Sequence, residues 1–387
     1  MGAVAPHMGS AQAPEPSAFR RDGSLDLTID DYGISIGNSR VAHGLRINWR
    51  DDGVRRVDGV NITLWRPGEN PRFIMNGLAL GVVAPEAAEI NGAALGLVAV
   101  VAERRLKGLS AGGLAVVSGG AMLGINAGGL AVVSEGDIAG LSFGGLALVS
   151  QGSINGINLG GLAAVSEDGM LGLNLGGLAL VSQGSLRGIN AGGLALVAED
   201  GMTGVNFGGL AAVSQGRMFG VNVGTLALVS ERDLEGLNVA GLASVSGDGV
   251  RGVNVSGLAI VGGREVSGIN VAGLAIVADG EMRWVSLTAG ALESTERIHG
   301  LAMGLYRVRT PTLRGVSVAA GMMRSRYMEG ISVAGYNHVR REQRGLTIGL
   351  YNDARQLRGV QVGLLNRARN NPQGRRYLPI VNWHFGD

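Results

Sequence analysis

The chain has 387 residues, a formal net charge of +2, no cysteine, and aromatic residues at only 4%. Without cysteine there is no disulfide framework or thiolate metal site, and no apolar run reaches the ~18 residues of a membrane-spanning helix, because Gly, Asn, Ser and acids interrupt every stretch. Glycine contributes 68 residues without the every-third spacing of collagen, so the interior must be thin and filled by Leu, Val, Ile, Met and Ala.

Residues 1–30 read as a leader and linker. Ala11-Gln12-Ala13 is a small-x-small site followed by Pro14-Glu15-Pro16-Ser17, the pattern at the end of a secretory signal whose basic and apolar parts would lie upstream. The expectation is an exported protein at the cell surface or outer membrane. Residues 31–76 carry short alternating runs, Tyr32–Gly37, Leu45–Trp49 and Val60–Trp65, broken by Asp51-Asp52-Gly53 and Pro67-Gly68; these are strand and turn signals of an N-terminal β cap.

Residues 77–298 form a glycine-rich repeat array. Looser units begin at Gly77 and Gly92, and from Gly108 to Gly268 eleven glycines stand 16 residues apart. Numbering each unit from that glycine, position 7 is always Leu, position 8 Ala and position 10 Val, while position 3 is Asn in nine copies and Ser in two. A strict short period marks a chain whose units are built on their neighbours. Trp284 stands where the next glycine is expected. Residues 299–387 hold Arg-rich, shorter-period repeats at Gly300, Gly315, Gly330, Gly345 and Gly359, then a terminal run from Tyr377 to Phe385 with an apolar stripe on its odd positions.

These units are strands. Three glycines per unit would each cost a helix about 1 kcal/mol, and a 16-residue period drifts against 3.6 residues per turn. The fold class is all-β, a parallel β-solenoid of ~16-residue coils. Asn-x-Gly-Gly turns one corner and the segment after Ser at position 11 another, since Asn and Ser bond nearby backbone and Gly accepts positive φ. Stacking at ~4.8 Å would align Asn126, Asn158, Asn174, Asn190, Asn206, Asn222, Asn238, Asn254 and Asn270 into an amide ladder. About 19 such coils would make a rod of roughly 90 Å. The alternative is an antiparallel transmembrane β-barrel, an outer-membrane pore. Positions 2, 4, 6, 8 and 10 are all apolar, as on a lipid-facing strand, and Glu and Gln alternate after position 11 with a 32-residue super-period. Against it, Leu194, Leu196 and Met202 would line a wet lumen, and aromatic girdles are missing.

The units Gly188–Ala195, Gly345–Asn352 and Gly359–Asn366 resemble the Gly-Leu-Gln/Asn repeats of bacterial surface-repeat proteins, over roughly residues 77–371. The resemblance implies an exported protein on the outer surface, of undetermined activity. The family's more usual Asn at position 9 is replaced by Leu, Val, Ala, Ile or Ser in the strict units and returns only near Asn352 and Asn366.

Chemistry-bearing constellations are few. His7, His43, His299, His338 and His384 are scattered, none at metal-ligand spacing, and no nucleophile elbow or P-loop appears. No enzyme, cofactor or metal is expected. The acidic turns Glu135/Asp137, Glu167/Asp168, Glu199/Asp200 and Glu231/Asp233 form a solvated edge. From Arg297 to Arg376 fifteen arginines face three acids, Glu329, Glu342 and Asp353. Coils would align Arg314, Arg344 and Arg358, and also Arg324, Arg340, Arg355 and Arg369, into columns about 5 Å apart. Guanidinium forks at that spacing fit an anionic surface glycolipid or polysaccharide; a charged end that blocks edge growth is the competing reading. Nucleic acid is not expected, because aromatic platforms are few. Membrane association and lateral self-association through the Ala/Gly wall complete the expected contacts.

Overall fold

The computed structural model describes residues 19–20, 23–68 and 70–386. His7 and the Ala11-Gln12-Ala13 site lie outside these residues. The chain is a parallel β-solenoid of about 18 coils of about 16 residues, divided into two compact units at Gly128/Gly129.

In the first unit, Ser24–Ile29 closes one edge as an antiparallel partner of Tyr32–Gly37. Thereafter the pairings of this unit are parallel, with one register shift between Ala87 and Glu89, and Gly33, Gly44, Gly59, Gly77, Gly92, Gly108 and Gly124 stack in one file. The runs read from sequence as a cap therefore carry the same glycine file as the array. Their interior is polar. Arg46 and Asp51 form a fully buried ion pair; Arg46 Nη1 also donates to Asn61 Oδ1 at 2.7 Å, and Asn61 Nδ2 donates to Asp51 Oδ2 at 3.0 Å. A buried charge persists only when its partners are satisfied in this way.

The second unit shows the repeat at its most regular. One coil is Ser185–Gly192 followed by Ala195–Ala198. The first strand pairs in parallel with Gly169–Gly176 and Gly201–Gly208, the second with Ala179–Ser182 and Ala211–Ser214, each residue opposite its equivalent 16 positions away. Neighbouring units thus run in the same direction, and among the described residues the antiparallel pairs occur only near the two chain ends. A barrel would need antiparallel neighbours throughout, so that alternative is corrected: the 32-residue Glu/Gln alternation is a repeat of two coils and not of a hairpin.

Each coil has three sides. The long strand bends at the position-1 glycine, which adopts positive φ, +106° at Gly188. The in–out alternation continues through the bend: Leu186 points in, Arg187 and Ile189 out, Asn190 in. The corners Gly193-Leu194 and Glu199-Asp200 complete the turn. A Cβ on Gly188 would lie 2.3 Å from the carbonyl oxygen of Gly172, so a larger residue there crowds the backbone of the neighbouring coil. Trp284 occupies the file at φ +75° and is 72% exposed.

The core holds positions 3, 5, 9, 11 and 15. Position 9 (Leu148, Ala164, Leu180, Leu196, Ala212) and position 15 (Ile154, Met170, Leu186, Met202) are buried, each larger side chain contributing about 1.5–3 kcal/mol. Beside them, Asn158, Asn174, Asn190, Asn206, Asn222, Asn238, Asn254 and Asn270 are all 0% exposed. Seven bonds of 2.7–3.0 Å join them, each Nδ2 donating to the next Oδ1. In the first unit Ser110 donates to Asn126 Oδ1 at 2.8 Å.

Past Gly300 the coils shorten and their corners tighten, so that Thr312–Ala368 stays extended throughout. A second amide file appears at the place of the buried Leu: Asn337 donates to Asn352 at 2.8 Å, and Asn352 to Asn366 at 2.7 Å. Tyr377–His384 then closes the edge antiparallel to Gly359–Arg367.

Candidate interaction surfaces

The side chains most constant across the units lie outside. Ten leucines at position 7 of the second unit, Leu130 through Leu274, are 42–60% exposed and stand on consecutive coils. On one side of this file position 2 is also exposed (Leu141, Ile157, Ile189, Val205, Leu237, Val253, Ile269), joined by Phe143, Phe207, Val255 and Val271 at position 4. On the other side stand the half-exposed Ala and Val of positions 8 and 10. At the strand spacing the band is about 43 Å long and, from position 2 round the corner to position 10, about 25 Å of backbone wide. That is of order 1,000 Å², beyond the few hundred Å² usual for a contiguous patch on a monomer. The sequence reading noted that positions 2, 4, 6, 8 and 10 are all apolar; the structure puts 2 and 4 on one side of the coil, 6 at the corner and 8 and 10 on the next side, all facing away from the core.

The third corner is charged. Glu135, Glu167, Asp168, Glu199, Asp200 and Glu231 are exposed, and among the described residues no cluster of His, Asp and Glu is able to hold a metal ion. Asn61 and Asn254, which begin glycosylation-like tripeptides, are buried.

Toward the C-terminus the apolar band changes character. Ala275 pairs with Ala291 and then Arg307, and Val277 pairs with Glu293 and then Arg309; Arg309 pairs with Arg324. In the coils that follow, the residues flanking the second amide file are Tyr336 and His338, then Tyr351 and Asp353. The tyrosine rings stack at 5.3 Å. Asp353 is 4% exposed and accepts from Arg369 Nη2 at 2.9 Å and Nε at 3.3 Å. His338 Nδ1 lies 3.2 Å from Asp353 Oδ2 and 3.1 Å from Tyr336 Oη. Burial lowers the His338 pKa; Asp353 opposes the shift, and Arg324 and Arg340 add to it. Burial raises the Tyr336 pKa, and Asp353 raises it further.

The seven arginines of the sequence reading separate into two groups. Arg314 pairs with Glu329 at 3.4 Å, Arg344 and Arg358 with Glu342 at 2.8 and 3.3 Å, and Arg369 with Asp353. Arg324, Arg340 and Arg355 have no carboxylate in ion-pair range among the described residues, and the buried Nε of Arg324 has no hydrogen-bond partner. Arg340, Arg355 and Arg369 line one cleft with His338 and Val339, and Arg340 also borders a second with Arg309, Arg324 and Arg326. Sequence reasoning missed Tyr336, His338 and Asp353. Their signal was present, since His338, Asp353 and Arg367 stand at the same offset from Gly330, Gly345 and Gly359.

No protein-family model, curated protein or solved structure matches this chain.

Proposed function

We propose that the protein is a non-enzymatic structural repeat protein of the exported cell-surface kind, and that it works by packing its apolar band against a second copy of itself. The reading rests on one observation, the unbroken file of exposed leucines flanked by apolar positions on both sides. Water contact over such an area is costly, at roughly 25 cal/mol per Å², and a partner covering most of it would match the ~800 Å² per side of a standard interface. A second copy is the occupant that fits best. Its leucine file has the same spacing, so two combs can interdigitate over their whole length, and an isologous pair closes on itself. A bilayer fits less well, because residues 129–296 carry fifteen acids against six arginines, and anionic lipid repels that excess. Export is supported by the likeness of the units to surface-repeat proteins.

The test is sedimentation of the wild type and of the triple variant Leu178→Glu, Leu194→Glu, Leu210→Glu, without detergent. The wild type should sediment as a dimer or higher oligomer and the variant as a folded monomer. A wild type that remains monomeric at high concentration, or one that dissolves only with detergent, refutes self-association.

A further inference from the structure

The three acids of the C-terminal coils are already engaged. Glu329 holds Arg314, Glu342 holds Arg344 and Arg358, and both oxygens of Asp353 are taken by Arg369, one of them shared with His338. What remains beside the cleft is a set of guanidinium groups on three successive coils, Arg324 and Arg326, then Arg340, then Arg355, without a counter-carboxylate among the described residues. Coil spacing of ~4.8 Å brings like charges close enough to repel. Arg324 moreover buries an Nε–H with nothing to donate to, and a buried donor that lacks an acceptor is costly. His338, pushed toward its neutral form by burial with Arg324 and Arg340 nearby, does not relieve the excess. The cleft among His338, Arg340, Arg355 and Arg369 opens to solvent beside the stacked rings of Tyr336 and Tyr351.

We infer that this cleft, extended toward Arg324, is a binding site for a phosphate monoester. A carboxylate offers one charge and two oxygens, which Asp353 already supplies to Arg369 at 2.9 Å and Arg367 at 3.9 Å. A phosphate monoester offers up to two charges and three acceptor oxygens, enough to receive forks from two adjacent coils at once. Arg340 and Arg355 hold the group, Arg324 reaches it from the neighbouring coil, and Arg369 remains committed to Asp353. The inference is independent of the apolar band and stands or falls separately from it.

Calorimetric titration at low salt tests the assignment, with inorganic phosphate in one arm and zwitterionic-lipid vesicles with and without phosphatidic acid in the other. Saturable binding in the first arm marks a soluble ligand, and binding confined to the second marks a lipid headgroup. In whichever arm binds, Arg340→Gln with Arg355→Gln should weaken binding about tenfold or more, the cost of losing charge-assisted bonds. The charge-matched control Arg344→Gln with Arg358→Gln removes two arginines that already serve Glu342, and should change affinity by about twofold at most. Both pairs are exposed, and thermal unfolding checks that each variant folds. Equal weakening by the two pairs, or no saturable binding in either arm, overturns the proposal.

Discussion

Replacing Asn206 by Ala cuts the amide ladder at its middle. Asn206 Oδ1 accepts from Asn190 Nδ2 at 3.0 Å, and its own Nδ2 donates to Asn222 Oδ1 at 2.9 Å. All three residues are 0% exposed, so water cannot substitute for the lost partner. The variant leaves one buried donor and one buried acceptor unsatisfied, at about 1–3 kcal/mol each, hence about 2–6 kcal/mol in total. Asn158 provides the internal comparison. It donates to Asn174 at 2.9 Å, but its Oδ1 has no partner, so Asn158→Ala orphans a single group and should cost about 1–3 kcal/mol. Because coils open locally, the measurement is hydrogen exchange resolved by peptide, rather than a single unfolding midpoint. Protection in peptides covering residues 190–222 should fall by about one and a half to four decades in Asn206→Ala. The loss around Asn158 should be about half as large on the energy scale. Equal losses at the two sites, or a loss below about 0.5 kcal/mol at Asn206, would refute the claim that the ladder is a chain of coupled bonds.

Glycine substitution has opposite consequences inside the glycine file and outside it. Gly204→Ala would put a Cβ 2.1 Å from the Gly188 carbonyl oxygen at φ +114° and should destabilise by about 3 kcal/mol or more, whereas Gly374→Ala, with nothing within 4 Å, should stay within about 0.5 kcal/mol of wild type in urea unfolding. Trp284→Gly relieves a positive φ at a largely exposed side chain and should stabilise its coils by about 1 kcal/mol, net of the extra chain entropy of glycine. His338 links the C-terminal coils to pH. Its folded-state pKa lies below the ordinary value because of burial, against the pull of Asp353, so the unfolded chain takes up the proton first as pH falls. Stability of these coils should decline below about pH 6.5 and level off once the folded state also protonates; His338→Gln should remove that slope in exchange measurements, and a slope unchanged in the variant would reject the assignment.

Part of the backbone's path was legible because it is fixed by local chemistry. Positive-φ glycine at position 1 and the 16-residue period are properties of single units, whereas the Asn read as a corner residue lies inside the long strand and bonds the equivalent Asn of the next coil. Ruling out helix left both solenoid and barrel, and the parallel pairing of neighbouring units decides between them. The direction of each side chain along the strands follows a count by twos, since Leu186, Asn190, Gly192, Leu196 and Ala198 all point in while Ile189 and Ala191 point out. Which parity faces the core was not legible from the period, because the outward positions 2, 4, 8 and 10 are apolar as well. The arginine columns were legible as columns, but which arginines are free depended on Glu342 and Asp353. Glu342 gathers arginines from its own and the next coil, and Asp353 is turned into the band beside His338. That detail belongs to packing between coils.

The contrast between inside and outside carries the functional argument further than either surface alone. At buried position 9 the eleven strict units use Val116, Val132, Leu148, Ala164, Leu180, Leu196, Ala212, Leu228, Ser244, Ile260 and Ile276, five residue types that differ widely in volume. Duplication has therefore left time for divergence, and a stacked core absorbs it, since a small side chain in one coil can be offset by a larger one in the next. At position 7 the same eleven units hold Leu without exception, although the side chain is about half in water. Folding alone does not demand that: the corner is turned by its glycine, and a polar residue there would shed the cost of an exposed apolar surface. Leu at exposed position 7 is thus more uniform than the buried position 9, although packing usually constrains the interior most. Under the proposed self-association, the constraint on the leucine file comes from a surface that meets the coils with their own repeat, and a second solenoid is the body whose spacing matches at every step.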